Sequence, residues 1–105
     1  MDYKQSQIST EDEIVGTYGT AWMEWMEIHH EELVREMKKK NTFFKVARSV
    51  DDSAWEYRNL LDRQYEETHT RPETFEDIVK WERTREYYTD STVMRESVLI
   101  PITTP

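Results

Sequence analysis

Hydrophobic positions recur along this chain at steps of three and four, the spacing that gathers side chains on one face of an α-helix. Trp22, Met26, His29, Leu33 and Met37 form the longest such stripe, and Trp25 widens it. Glu24, Glu27, Glu31, Glu32 and Glu36 occupy the other faces. Lys38-Lys39-Lys40 place cations at the negative end of the helix dipole, and Asn41 suits a left-handed cap. The pattern predicts one helix from about Thr20 to Lys40, with His29 as a hydrogen-bonded histidine of the core. Upstream, Thr10-x-x-Glu13 has the form of a capping box, so a short helix through Ile14 and Val15 is expected before Gly16, with residues 1–9 as a loose polar arm.

The rest of the chain keeps the helical period in shorter runs. Phe43, Val46, Ala47 and Val50 form a second stripe, which Asp51-Asp52-Ser53 interrupts. Ser53-x-x-Glu56 offers a fresh capping box, and Ala54, Tyr57, Leu61 and Tyr65 continue on one face, with Trp55 and Leu60 alongside, to about Thr68. Thr70-Arg71-Pro72-Glu73 is the clearest break, because proline suits a helix start and bars continuation. A helix from Pro72 or Glu73 directs Phe75, Ile78, Trp81 and Tyr88 toward the core. Thr89-Asp90-Ser91-Thr92 then supplies N-caps for a last segment carrying Met94, Val98 and Leu99, which Pro101 ends; its alternative is an extended tail docking on the bundle.

Composition agrees with an all-α reading. Two glycines and three prolines are too few for the turns of an all-β domain. The expectation is a single domain over residues 10–105, a small bundle of about four helices with a polar N-terminal arm and an extended C-terminal tail. Only 36% of residues are hydrophobic, but four Trp, six Tyr and three Phe each bury about 150–250 Å², enough to build a core. The absence of cysteine removes thiol and disulfide chemistry. The polar first seven residues and the lack of a run of about 20 apolar residues point to a cytoplasmic protein with no membrane partner.

Few constellations carry chemistry. Glu27-x-x-His30 and Glu66-x-x-His69 have the spacing of di-metal carboxylate bundles, in which carboxylate and imidazole share one helical face. With 15 Glu residues such pairs arise by chance, and His30 falls off the apolar stripe. No Ser-His-Asp arrangement and no Gly-rich phosphate loop is present, so no catalytic residue, metal ligand or cofactor is expected. Lys38, Lys39, Lys40, Lys45 and Arg48, with Phe43 and Phe44 among them, form a basic corner that suits phosphate. A net charge of −8 opposes general attraction to DNA. Acids outnumber bases nine to five through residue 41 and seven to four from Pro72 onward. If folding gathers these acids on one side, they imitate nucleic-acid phosphate toward a basic protein.

Tyr18-Gly19, His29, Leu33, the helix end at Asn41 and then Phe43, Ala54, Trp81 and Val98-Leu99-Ile100 follow a spacing that resembles the transposon-encoded TnpV family of bacterial mobile elements. Asn41 stands where that family closes the helix with glycine. Glu82-Arg83-Thr84-Arg85-Glu86-Tyr87-Tyr88 replaces its Asn-rich segment. The resemblance implies a mobile-element context and an accessory role in excision or maintenance. Taken with the charge, it leads to an expectation of a non-enzymatic acidic accessory or inhibitory protein. Its partner would be a basic nucleic-acid-handling enzyme, such as a CRISPR effector. Glu24, Glu27, Glu31, Glu32, Glu76 and Glu86 would supply charge, and Trp25 and Tyr87 the aromatic anchors. The alternatives are an excision accessory that binds DNA through the lysine corner and a di-metal bundle. A homodimer through the wide apolar face of the first helix is compatible with each.

Overall fold

The computed structural model describes residues 14–104, so the expected arm and the Thr10–Glu13 capping box lie outside the described residues. Four α-helices follow in order: α1 (Thr17–His29), α2 (Glu31–Lys39), α3 (Phe43–Thr68) and α4 (Phe75–Val93), the last running into a π-helical turn, Met94–Val98. No strand occurs among the described residues. The protein is a small all-α bundle. No helix among the described residues is long and apolar enough to cross a membrane.

Helix α3 is the spine. Its first half carries Phe43, Val46, Ala47, Val50 and Ala54 into the core, where they meet Tyr18, Trp22 and Met26 of α1 and Val34 and Met37 of α2. Its second half packs against α4, which returns antiparallel to it. The π-helical turn brings Val98 into the same core, and the tail beyond it packs Leu99 and Ile102 on the outside. The Trp22 indole N–H donates to the Ile100 carbonyl at 3.2 Å, which fastens that tail across α1. The last segment is thus helical over Met94–Val98, and only the residues beyond it form the docked tail.

The helix expected over Thr20–Lys40 is two helices. Its start moves back to Thr17, and His30, at φ −140° and ψ 54°, breaks it in the middle. The reason is phase. Tyr18, Trp22, Met26 and Val34 recur every four or eight residues, and a step of four over-rotates by about 40° on a 3.6-residue helix. One straight helix cannot hold all of them on one side, and the break at His30 resets the face. Val34 and Met37 are buried as a result, while Leu33 and His29 of the expected stripe are exposed. The helix end behaves as expected. Asn41 has φ 58°, its N–H bonds the Lys38 carbonyl at 3.2 Å, and the Thr42 N–H bonds the Met37 carbonyl at 2.9 Å. This pair of bonds closes a helix through a left-handed residue.

Asp51-Asp52-Ser53 does not interrupt the second stripe, since α3 runs through it and the Ser53 capping box is unused. The Asp51 carboxylate serves another helix. Its Oδ1 accepts the N–H groups of Tyr18 and Gly19, both at 3.0 Å, and so caps the start of α1 from the side. Helix α4 starts at Phe75, later than expected, with Thr74 as N-cap accepting the Asp77 N–H at 3.3 Å. Phe75 is 80% exposed and Tyr88 47%, so neither joins the core. Thr89–Thr92 caps nothing: it is the last part of α4, with Thr89 and Thr92 buried.

Candidate functional site

The acidic residues expected to form one surface stand in two patches. Helix α1 runs along the first half of α3, and its C-terminal end lies toward Phe43, where Trp22 and Phe43 rings meet at 5.4 Å. Helix α4 begins beside the far end of α3, where its Trp81 indole N–H donates to the His69 carbonyl at 3.1 Å. Glu24, Glu27, Glu31 and Glu32 thus lie toward one end of the molecule and Glu76 toward the other. Among the described residues α1 reaches α4 at its start, where the Tyr18 hydroxyl bonds Asp90, far from these glutamates.

The first patch is a ridge across the α1–α2 junction. Ile28 is 75% exposed on the outer face of α1, one turn after Glu24 and next to Glu27, with Glu31 and Glu32 opening α2 beyond it. Glu27 accepts from Lys38 Nζ at 3.4 Å, and Glu31 pairs with Arg35 at 3.5 Å. Glu24 and Glu32 are exposed and form no ion pair among the described residues. Trp25 is half-buried, packed on the core and in ring contact with His29 and His30 at 5.3 and 5.1 Å. The most exposed large apolar side chain of this ridge is therefore Ile28, while Trp25 is half-buried. Ile28 stands between Glu27 and His29, off the Trp22–Met26 stripe, and so had no local signal.

The second patch is the outer side of α4. Glu76 and Tyr87 are exposed there, Tyr87 by 76%. Glu86 is exposed but paired: both its carboxylate oxygens accept from Arg58 Nη2, Oε2 at 2.7 Å. Arg58 is the centre of a polar hub that sequence reasoning missed. Its Nη1 donates to the Tyr18 hydroxyl at 2.7 Å, and that hydroxyl donates to Asp90 Oδ1 at 2.7 Å. The guanidinium also lies 5.4 Å from the Trp55 ring centroid, and Trp55 meets Tyr18 edge-on at 5.0 Å. One arginine thereby joins α1, α3 and α4. Burial, then the bond to Asp90, pushes the Tyr18 phenol up to about 12. Burial opposes the Arg58 charge, but the bonds to Tyr18 and Glu86 outweigh it and hold its pKa above the ordinary value. A weak signal existed in the sequence, since Tyr18 continues the four-residue step of Trp22 and Met26 backward.

The basic corner is partly assembled. Lys38, Lys45, Arg48, Asn41, Phe43 and Phe44 line a groove of about 420 Å³ between the end of α2 and the start of α3. Lys38 is turned toward Glu27 and the Phe43 ring, and Lys39 pairs with Glu36 at 3.9 Å, while Lys40 is exposed. The two Glu-x-x-His motifs do not converge. His30 sits at the helix break against Trp25, and His69 stacks on Tyr65 at 3.9 Å beyond the opposite end of α3. Among the described residues no three His, Asp or Glu side chains gather as a metal site would require.

No protein-family model matches the chain, and no curated protein or solved structure shows significant similarity to it. Fold and surface together define a small, acidic all-α protein whose prominent surface features are an acidic ridge with an exposed isoleucine and a basic aromatic groove.

Proposed function

We propose that this chain is a non-enzymatic accessory or inhibitory protein of a mobile genetic element, phage or transposon. In this reading it binds the basic surface of a nucleic-acid-handling protein, for which a CRISPR effector is one example, through the ridge around Ile28. The observation that carries the reading is the placement of Ile28, 75% exposed between Glu24, Glu27 and the acids that open α2. An exposed apolar side chain on an acidic helix junction offers a basic partner both an anchor to desolvate and complementary charge. The net charge of −8 favours encounter with such a partner over encounter with DNA. A second reading, an excision accessory that binds DNA, draws support from the groove lined by Lys38, Phe44, Lys45 and Arg48.

One experiment separates them: capture with the tagged chain from lysate of a bacterial host, with and without nuclease, at rising salt. A basic nucleic-acid enzyme retained after nuclease treatment is the expected result. Its retention should fall as salt rises from about 0.1 to about 1 M, because the Debye length shrinks from about 10 to about 3 Å. The double variant Glu24→Lys and Glu32→Lys should lose the partner while keeping the fold, since neither carboxylate holds an internal ion pair. Partners that vanish with nuclease favour the DNA reading instead, and salt-independent capture sinks the electrostatic account.

A further inference from the structure

The α3–α4 hairpin gathers a ring from α4 and a carboxylate from α3 on each of its two sides. On one side the chain fills the arrangement itself. Arg85 donates from Nη1 to Glu66 at 2.6 Å, and its guanidinium lies 5.2 Å from the Trp81 ring centroid. Glu67 follows Glu66 and Thr84 precedes Arg85, each about 100° of helical turn away, on the hairpin's other side. There they line a groove of about 540 Å³ together with Tyr65, His69 and Tyr88. His69 lies flat on Tyr65, ring centroids 3.9 Å apart, with its Nδ1 2.9 Å from Thr68 Oγ1 and 3.2 Å from the Tyr65 carbonyl. Tyr88 meets Tyr65 at 6.0 Å and is 47% exposed. Among the described residues the exposed Glu67 carboxylate forms no ion pair or hydrogen bond, and no cation lies over the Tyr88 ring. With histidine neutral, Glu67 is the one charged side chain that lines the groove. Lys80 stands one turn before Thr84 but does not line it, and Asp77 a turn earlier offsets that charge.

We propose that this groove receives an arginine side chain of a basic protein partner, its guanidinium stacked on Tyr88 and paired with Glu67. The components match those that hold Arg85 across the hairpin, a ring from α4 and a carboxylate from α3. A planar guanidinium serves both at once, stacking on the ring while its edge donates to the carboxylate; the ammonium of lysine is a point charge and does not stack. Only the basic character of the partner rests on the reading above. The ridge around Ile28 lies toward the other end of the 52 Å molecule, so the two contacts are separate. Ring and carboxylate are both partly exposed, so a single arginine binds weakly.

The probe is the blocked peptide acetyl-Gly-Ser-Arg-Ser-Gly-amide, titrated into the isotope-labelled full chain and followed by nuclear magnetic resonance. The titration is run at about pH 8, where a free imidazole is neutral. The ring protons of Tyr88 and His69 should shift saturably while the Ile28 methyl groups stay in place. Glu67→Gln should weaken binding about two- to fivefold, and so should Tyr88→Leu in a chain that keeps its helical circular dichroism. The peptide with lysine in place of arginine should also bind more weakly. The ridge variant carrying Glu24→Lys and Glu32→Lys should take the peptide as the native chain does, so failure at the ridge and failure at the groove are read separately. Shifts centred on Ile28, no saturable shift at Tyr88 and His69, an unchanged affinity for Glu67→Gln, or equal binding of the lysine peptide overturns the proposal.

Discussion

At the scale of single residues the most informative group is Tyr18. Only 1% of it is exposed, and its hydroxyl stands between the Arg58 guanidinium and the Asp90 carboxylate. The phenol is pushed up to about 12 first by burial and then by the bond to Asp90, from an ordinary value of 10.0. Below pH 10 the phenol is neutral in both folded and unfolded chains, and the stability tied to it is complete. Between pH 10 and about 12 only the unfolded chain releases the proton, so stability falls; above 12 both states are ionised and the loss is finished. Two pH units of separation correspond to about 2–3 kcal/mol. Urea denaturation across this window should show that loss for the native chain and a flatter profile for Tyr18→Phe. Tyr57, shifted up by its hydrogen bond to Glu96, titrates in both proteins, so the difference between the two profiles isolates Tyr18. Identical slopes in both would mean that the Tyr18 phenol ionises as freely folded as unfolded.

At the scale of elements, α1 depends on a residue of another helix. Gly16 precedes it without a side chain to cap it, and Asp51 of α3 takes the Tyr18 and Gly19 N–H groups instead. The approach is close enough that a Cβ on Gly19 would lie 2.5 Å from the Ala47 carbonyl oxygen, so the glycine lets the two helices meet. Asp51→Ala should destabilise the protein by about 1–2 kcal/mol, the range of a lost N-cap, with a matching drop in denaturation midpoint. No change would show that water satisfies those amides equally well. The same residue explains why the sequence was misleading there. Asp-Asp-Ser reads locally as a helix stop, but a carboxylate that caps a neighbouring helix needs no break in its own. Local signals were legible where they act locally: Asn41 takes the left-handed conformation, and Pro72 marks the break before α4. The kink at His30 was not legible, because it answers the need to bury Val34 and Met37 against α3. The ridge charges were visible as glutamates. Ile28 as their centre, and Arg58 as a junction of three helices, depend on tertiary placement and had no local signature.

At the scale of the whole molecule the protein is elongated, 52 × 34 × 19 Å, with a radius of gyration of 17.4 Å. A compact domain of this length has about 13 Å. The cause is the uneven burial along α3. Its first half is enclosed by α1, α2, the π-helical turn and the tail, and it buries Phe43, Val46, Ala47, Val50 and Ala54. Beyond the Arg58 hub α4 is the helix that covers it among the described residues, and Leu61 and Tyr65 are its buried apolar side chains. What holds the far end of the α3–α4 hairpin is a set of ion pairs and ring contacts among partly exposed side chains. Arg85 bonds Glu66 at 2.6 Å and lies 3.8 Å from Asp62, while Arg71 and Arg85 flank the Trp81 ring at 5.7 and 5.2 Å. Exposed ion pairs contribute about 0–1 kcal/mol each, well short of what a buried aliphatic cluster supplies. The opening free energy must therefore fall along one continuous helix. Amide hydrogen exchange should find the strongest protection over Val46–Ala54 and in α1 from Trp22 to Met26, with protection declining from Leu61 toward Thr68 and across the start of α4. Uniform protection along α3 would mean that the hairpin opens only with the whole molecule, and that its few buried residues and surface ion pairs couple it to the core as strongly as a packed layer would.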